Sequence, residues 1–154
     1  MKQALKDGLS YLLSVIAKAA TPALERRLSE WSTSLFADVP AIGGAWVVSF
    51  REPLGVLSSN PQRIDAVVRQ FGRRIEGAGH VQGEPGDPFQ YRGRVKRNVL
   101  YGEFHRKNQR ILAGTGTFIL KIAADSRGMA GICTWFDSDL DEVWQSQYSW
   151  ERKT

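Results

Sequence analysis

The feature that most limits what this chain can fold into is a change of hydrophobic period near Pro40. Before it, apolar residues recur at helical spacing. From Gly43 onward they alternate, and Gly, Pro, Asn or Asp breaks the alternation at short intervals. Eight β-type segments can be bracketed, over residues 45–51, 63–71, 74–81, 89–96, 99–106, 111–122, 129–136 and 142–152. The links between them are mostly short, such as Gly72-Arg73 and Ser138-Asp139, which favours antiparallel neighbours in chain order. The exception runs from Pro53 to Gln62 and is long enough to act as a lid or end cap.

Consecutive antiparallel strands lose their edges only by closing on themselves or by stacking as a sandwich. Gly77, Gly79, Gly93, Gly102, Gly114, Gly116 and Gly131 all lie inside segments that otherwise read as strands, a pattern that suits the sharp bends of a small barrel. The expected fold is mostly β: an eight-stranded, antiparallel, up-and-down barrel over residues 43–152, behind a helical segment over residues 1–40. A barrel of that size is just wide enough to hold one small ligand.

In the N-terminal segment, Leu5, Leu9, Leu12, Leu13 and Ile16 follow one helical stripe, and Leu24, Leu28, Trp31 and Leu35 another. Thr21-Pro22 marks the join, with Thr21 capping a second helix. The stretch from Gly8 to Leu24 carries Lys18 and meets Pro22 before it reaches the ~20 apolar residues that a span needs. Packing on the barrel or on a partner is preferred, with an in-plane amphipathic anchor as the variant.

Composition excludes several classes. With 42% hydrophobic and 24% charged residues in 154, the chain is not disordered and fits one core with a short appendage. One cysteine, Cys133, excludes a disulfide scaffold and a Cys-based zinc site. Asp7 interrupts the charge of Lys2 and Lys6, and no small-x-small site follows, so a cytoplasmic protein is expected, with membrane association as the variant.

Catalytic and cofactor motifs are not found. Cys133 lies in an alternating strand with only His80 and His105 as candidate bases, and reads as a small buried hydrophobe. Asp137-Ser138-Asp139-Leu140-Asp141 opens like a calcium loop, but Glu142 stands where glycine is required, so it reads as an acidic hairpin turn. Gly77-Ala78-Gly79 with Gly83 has the wrong spacing for a dinucleotide fingerprint. No metal, cofactor or catalytic residue is therefore expected. A net charge of +5, with no helix-turn-helix or zinc-finger pattern, argues against sequence-specific nucleic-acid binding.

Parity groups the chemistry-bearing residues. On the last strand Trp144, Tyr148, Trp150 and Arg152 share a face too apolar for solvent. On the fourth, Phe89, Tyr91, Gly93 and Val95 oppose Gln90, Arg92, Arg94 and Lys96. On the fifth, either Tyr101, Glu103 and His105 or Leu100, Gly102 and Phe104 face in. The basic residues Arg92, Arg94, Lys96, Arg97, Arg106, Lys107 and Arg110 read either as a solvated outer face or as an anion-attracting patch at one mouth.

Two features resemble the calycin superfamily, the lipocalin and avidin-like barrels: Gly44-Ala45-Trp46 opening the first strand, and Arg152 closing the last. The resemblance implies that Trp46 faces inward and that Arg152 packs across its ring, plugging the closed end. No Thr-Asp-Tyr motif of the lipocalin type is present. The layout, a helical segment before a basic barrel, is similar to bacterial antiphage effectors of cyclic-oligonucleotide signalling. That likeness implies a sensor of a nucleotide second messenger, with the helices as output or oligomerisation element.

The expected function is thus a non-catalytic barrel for a small anionic ligand, with a cyclic nucleotide as the specific reading. Trp135, Trp144, Tyr148 and Tyr101 would enclose its aromatic part, and Arg51, Arg92 or Arg94 would take its charge. The alternatives are a lipocalin-like carrier of a hydrophobic ligand, a barrel enzyme using Glu103 and His105, and an assembly module acting through residues 1–36.

Overall fold

The computed structural model describes residues 2–18, 38–50, 62–83, 86–106, 115–137 and 141–154, with isolated positions at 22, 24, 27, 28, 31 and 36. One helix, α1 (Lys2–Lys18), precedes strands β1 (Gly44–Phe50), β2 (Gln62–Phe71), β3 (Arg74–Val81), β4 (Phe89–Lys96), β5 (Val99–Arg106), β6 (Gly116–Ile122), β7 (Gly128–Asp137) and β8 (Glu142–Arg152). Each strand pairs antiparallel with the next, and β8 returns to β1 to close the barrel. The strand boundaries match the expected ones within a residue, except that β6 starts at Gly116 rather than at 111. Residues 111–114, Arg51 and most of the second expected helix lie outside the described residues.

At the end of the barrel that holds Trp46 and Arg152, here the closed end, the chain reverses tightly at Gly72-Arg73 and at Arg97-Asn98, and α1 packs there against β2 and β3. Gly72 sits at φ 58°, and a Cβ there would stand 2.6 Å from both the Phe36 ring and Ser10 Oγ. Glycine is therefore required both by the turn and by the approach of α1. Ser10 is buried against this turn and accepts from the Arg73 N–H at 3.4 Å, while Lys6 and Arg73 both reach Asp38 at 3.1 Å. Leu13, Phe36, Val39 and Ile42 join the same buried cluster as Trp46 and Trp150.

That docking corrects the expected helix stripe. Leu13 is buried and Leu9 partly so, but Leu12 and Ile16 are 55% and 42% exposed. Contact with the Gly72 turn admits only a small side chain, so Ser10 rather than a leucine sets the rotation of the helix. No helix among the described residues is long and apolar enough to cross a membrane.

The structure brings Trp46 and Arg152 together at this closed end. They are register partners, and the guanidinium lies 4.7 Å over the indole. Its Nη1 donates to Gly43 O at 2.9 Å and Nη2 to Ala41 O at 2.8 Å, while Trp46 Nε1 donates to Ile42 O at 2.9 Å. Gln70, also buried, accepts from Ile42 N at 2.7 Å and donates to Pro40 O and Gly72 O at 3.0 Å. Side chains thus satisfy the entering backbone, as buried polar groups require.

Candidate functional site

Alternation along the strands fixes what faces the lumen. Trp46, Val48 and Phe50 point in from β1; Phe89, Tyr91 and Val95 from β4; Leu100 and Phe104 from β5; Phe118 and Leu120 from β6. Rings fill the centre. Trp150 packs edge-on against Tyr91 at 5.1 Å and against Tyr148 at 6.1 Å, with Phe118 at 5.9 Å. Toward the end away from α1, Tyr148 meets Phe104 at 6.2 Å and Phe50 at 6.3 Å. Phe50, Trp135 and Trp144 are only partly buried and form the rim side of this layer. Arg106, the last residue of β5, holds its guanidinium 4.9 Å over Phe89 at the same rim.

Within this apolar interior, the buried tips Tyr91 Oη, Trp150 Nε1 and Trp144 Nε1 have no hydrogen-bond partner among the described residues. Tyr148 stands close enough to interact with both Tyr91 and Trp150, but short of hydrogen-bond geometry at Tyr91 Oη and Trp150 Nε1. Burial pushes both phenols well above their ordinary range, so they stay protonated donors. Burial also pushes the Cys133 thiol up to about 12, which leaves it inert as a nucleophile at neutral pH.

The residues expected to form one enclosure divide between the two sides of the wall. Tyr148, Trp144 and Trp135 face in. Arg92, Arg94 and Tyr101 come together instead on the outer surface, with Arg74, Glu76 and Glu103, around an open groove of about 690 Å³ floored by Gly93 and Gly102. Tyr101 is 41% exposed, and Arg92 is exposed. Of the two parities open on β5, the structure adopts Leu100, Gly102 and Phe104 inward, because Gly102 pairs with Phe118 and leaves room for its ring. Tyr101, Arg92 and Arg94 therefore do not line the lumen, and Glu103 and His105 stand on the outer face. Arg51 lies outside the described residues. Among the described residues, no group of three His, Cys, Asp or Glu could hold a metal ion.

Sequence reasoning left Tyr91 and Arg106 out of the site. Tyr91 was legible as the polar-tipped member of an inward parity. Arg106 shares the parity of Phe104, but that parity was one of two left open.

No protein-family model and no curated protein matches the sequence. Among solved structures, the chain is similar to the structure of EF1p2_mFAP2b bound to DFHBI, with a TM-score of 0.50 and 8% identity, over 82% of this chain and 99% of that one. The likeness is one of fold alone, which in this chain is a closed eight-stranded antiparallel barrel. A crystal structure of a short afifavidin–biotin complex is also similar, with a TM-score of 0.45 and 17% identity, over 80% of this chain and 98% of that one. Trp46, Arg152 and α1 lie at one end of this barrel, and Phe50, Trp135 and Trp144 lie toward the other.

Proposed function

We propose that the protein is a small-molecule-binding barrel whose ligand enters at the end away from α1, with a flat, largely apolar body and at least one hydrogen-bond acceptor. The observation that carries this reading is the set of buried tips without a hydrogen-bond partner among the described residues, Tyr91 Oη, Trp150 Nε1 and Trp144 Nε1. Leaving such a group unpaired costs about 1–3 kcal/mol, and folded proteins pair nearly all of them. Indoles only donate, and a protonated phenol donates as well as accepts, so the set asks for an acceptor. The surrounding rings favour a flat apolar body. The partly buried Phe50, Trp135 and Trp144 are the side chains that would part to admit it. The similar barrel EF1p2_mFAP2b is described with DFHBI bound, which supports a small-molecule ligand. A purely apolar cargo would leave the same donors unpaired.

A second reading, the anionic nucleotide second messenger, is favoured by one feature, the Arg106 guanidinium at the rim over Phe89. Phosphate at the rim and a base among the rings would use both. In that reading α1 passes the binding event on.

Thermal-shift measurement against aromatic acids and phenols, fatty acids, and cyclic di- and trinucleotides tests both readings. A ligand at ~100 times its Kd stabilises by about 2.7 kcal/mol, roughly a 5–10 °C rise in Tm for a chain of this length. Tyr91→Phe is expected to leave the unliganded protein as stable or more so, because it removes an unpaired hydroxyl, and to shrink the ligand shift. A response to cyclic nucleotides alone, lost in Arg106→Gln, would establish the second reading. No stabilisation by any acceptor-bearing aromatic would end the first.

A further inference from the structure

We infer that α1 docks in the plane of an anionic lipid surface, a role independent of the lumen. The side of α1 toward the barrel carries Lys6, Ser10 and Leu13. Its opposite side consists of Ala4, Gly8, Tyr11, Leu12, Val15 and Ile16, all exposed. At about 100° per residue these positions span an arc of roughly 140° with no charge in it. Tyr11, Leu12, Val15 and Ile16 are 56%, 55%, 47% and 42% exposed. A surface helix ordinarily turns its charges to water and its apolar stripe to the core. Here Lys6 and Asp7 are instead drawn to the barrel, by Asp38 at 3.1 Å and by Arg94 at 4.0 Å.

Charge selects the occupant. The Arg74 guanidinium lies 4.8 Å over the Tyr11 ring, at the border of the uncharged face. Arg94 is register partner to Arg74, and Lys96 and Arg97 are exposed on the same flank. Asp7 meets Arg94 from the helix; the strand carboxylates Glu76 and Glu103 are register partners of Arg92, one row farther from the closed end. Pairing two copies through this face would bring like charges together. Anionic headgroups would meet the basic border while the acyl region takes the apolar face, which is how interfacial helices bind.

The test is co-sedimentation of the full chain with phosphatidylcholine vesicles, with and without phosphatidylglycerol. Binding is expected to require the anionic lipid, to weaken with salt, and to fall about tenfold or more in Leu12→Glu/Val15→Glu, whose sites are exposed and whose barrel should keep its Tm. Lys96→Gln/Arg97→Gln, exposed where β4 turns into β5 and outside the helix itself, should also weaken it. Unchanged sedimentation of the double glutamate variant, or no binding to anionic vesicles, would overturn the inference. So would a wild-type dimer that the same variant makes monomeric, which would assign the face to a second copy.

Discussion

Replacing Arg152 by alanine probes the closed end most directly. The substitution removes a guanidinium 4.7 Å from the Trp46 ring and its hydrogen bonds to Gly43 O, Ala41 O and, more weakly at 3.3 Å, Ser126 O. The cation–π contact contributes about 0.5–2 kcal/mol, more as it is desolvated. Each of the two short hydrogen bonds adds about 1 kcal/mol, because water can reach this edge and re-solvate part of what is lost. The sum is about 3 kcal/mol, which lowers Tm by roughly 6–12 °C. Arg152→Lys keeps the charge but not the fork, since one ammonium cannot reach both carbonyls from above the ring, and should cost about half as much. Urea unfolding followed by tryptophan fluorescence gives the free energies. A double-mutant cycle with Trp46→Phe isolates the ring contact, with about 1 kcal/mol of coupling expected. A loss below about 0.5 kcal/mol for Arg152→Ala would show that the plug carries no energy and would refute the reasoning.

Two further outcomes are expected. A Cβ at Gly131 would collide with Ile119 O, so Gly131→Ala should cost about 3 kcal/mol or prevent folding, whereas Gly86→Ala meets open space and should change the unfolding free energy by less than about 0.5 kcal/mol. Burial raises the Cys133 thiol to about 12 from 9.0, and raises the Tyr91 and Tyr148 phenols above 10.0. All three groups stay protonated when folded but ionise at lower pH when unfolded, so their stabilisation is complete below pH 9 and declines as pH rises above it. Cys133→Ala should remove the earliest part of that decline in alkaline unfolding curves. An unchanged curve would show the thiol to be accessible.

The barrel was legible because both its signals are local: alternation along each strand, and turn residues between strands. The strand count, the apolar side of β4 and the inward parity of β8 followed from those alone, whereas the inward side of β1 rested on the resemblance carried by Trp46. What decides β5 is not local. Tyr101 and Phe104 are both aromatic, and only the neighbours, Gly93 on one side and Phe118 on the other, make the Gly102 parity the inward one. Arg92 and Arg94 were assigned to ligand by residue chemistry, while their strand parity sent them outside. The helix misled for a related reason. Its leucines fall within one arc of roughly 100°, but only the Leu9 and Leu13 edge of that arc meets the barrel, and Ser10 beside it gave no hydrophobic signal at all.

The seam between β1 and β8 sets the order of assembly. Every other pairing joins strands adjacent in the chain and can form as a hairpin, whereas the contact of Arg152 with Gly43 spans 109 residues. The entropy of closing so large a loop is recovered only once the intervening strands have zipped and brought the two edges near each other. The first strand must therefore wait, with one rim of backbone amides unpaired, until the last arrives. Conditions that slow the final step leave a curled sheet able to capture a strand from another molecule, and the arginine clasp guards against that exchange.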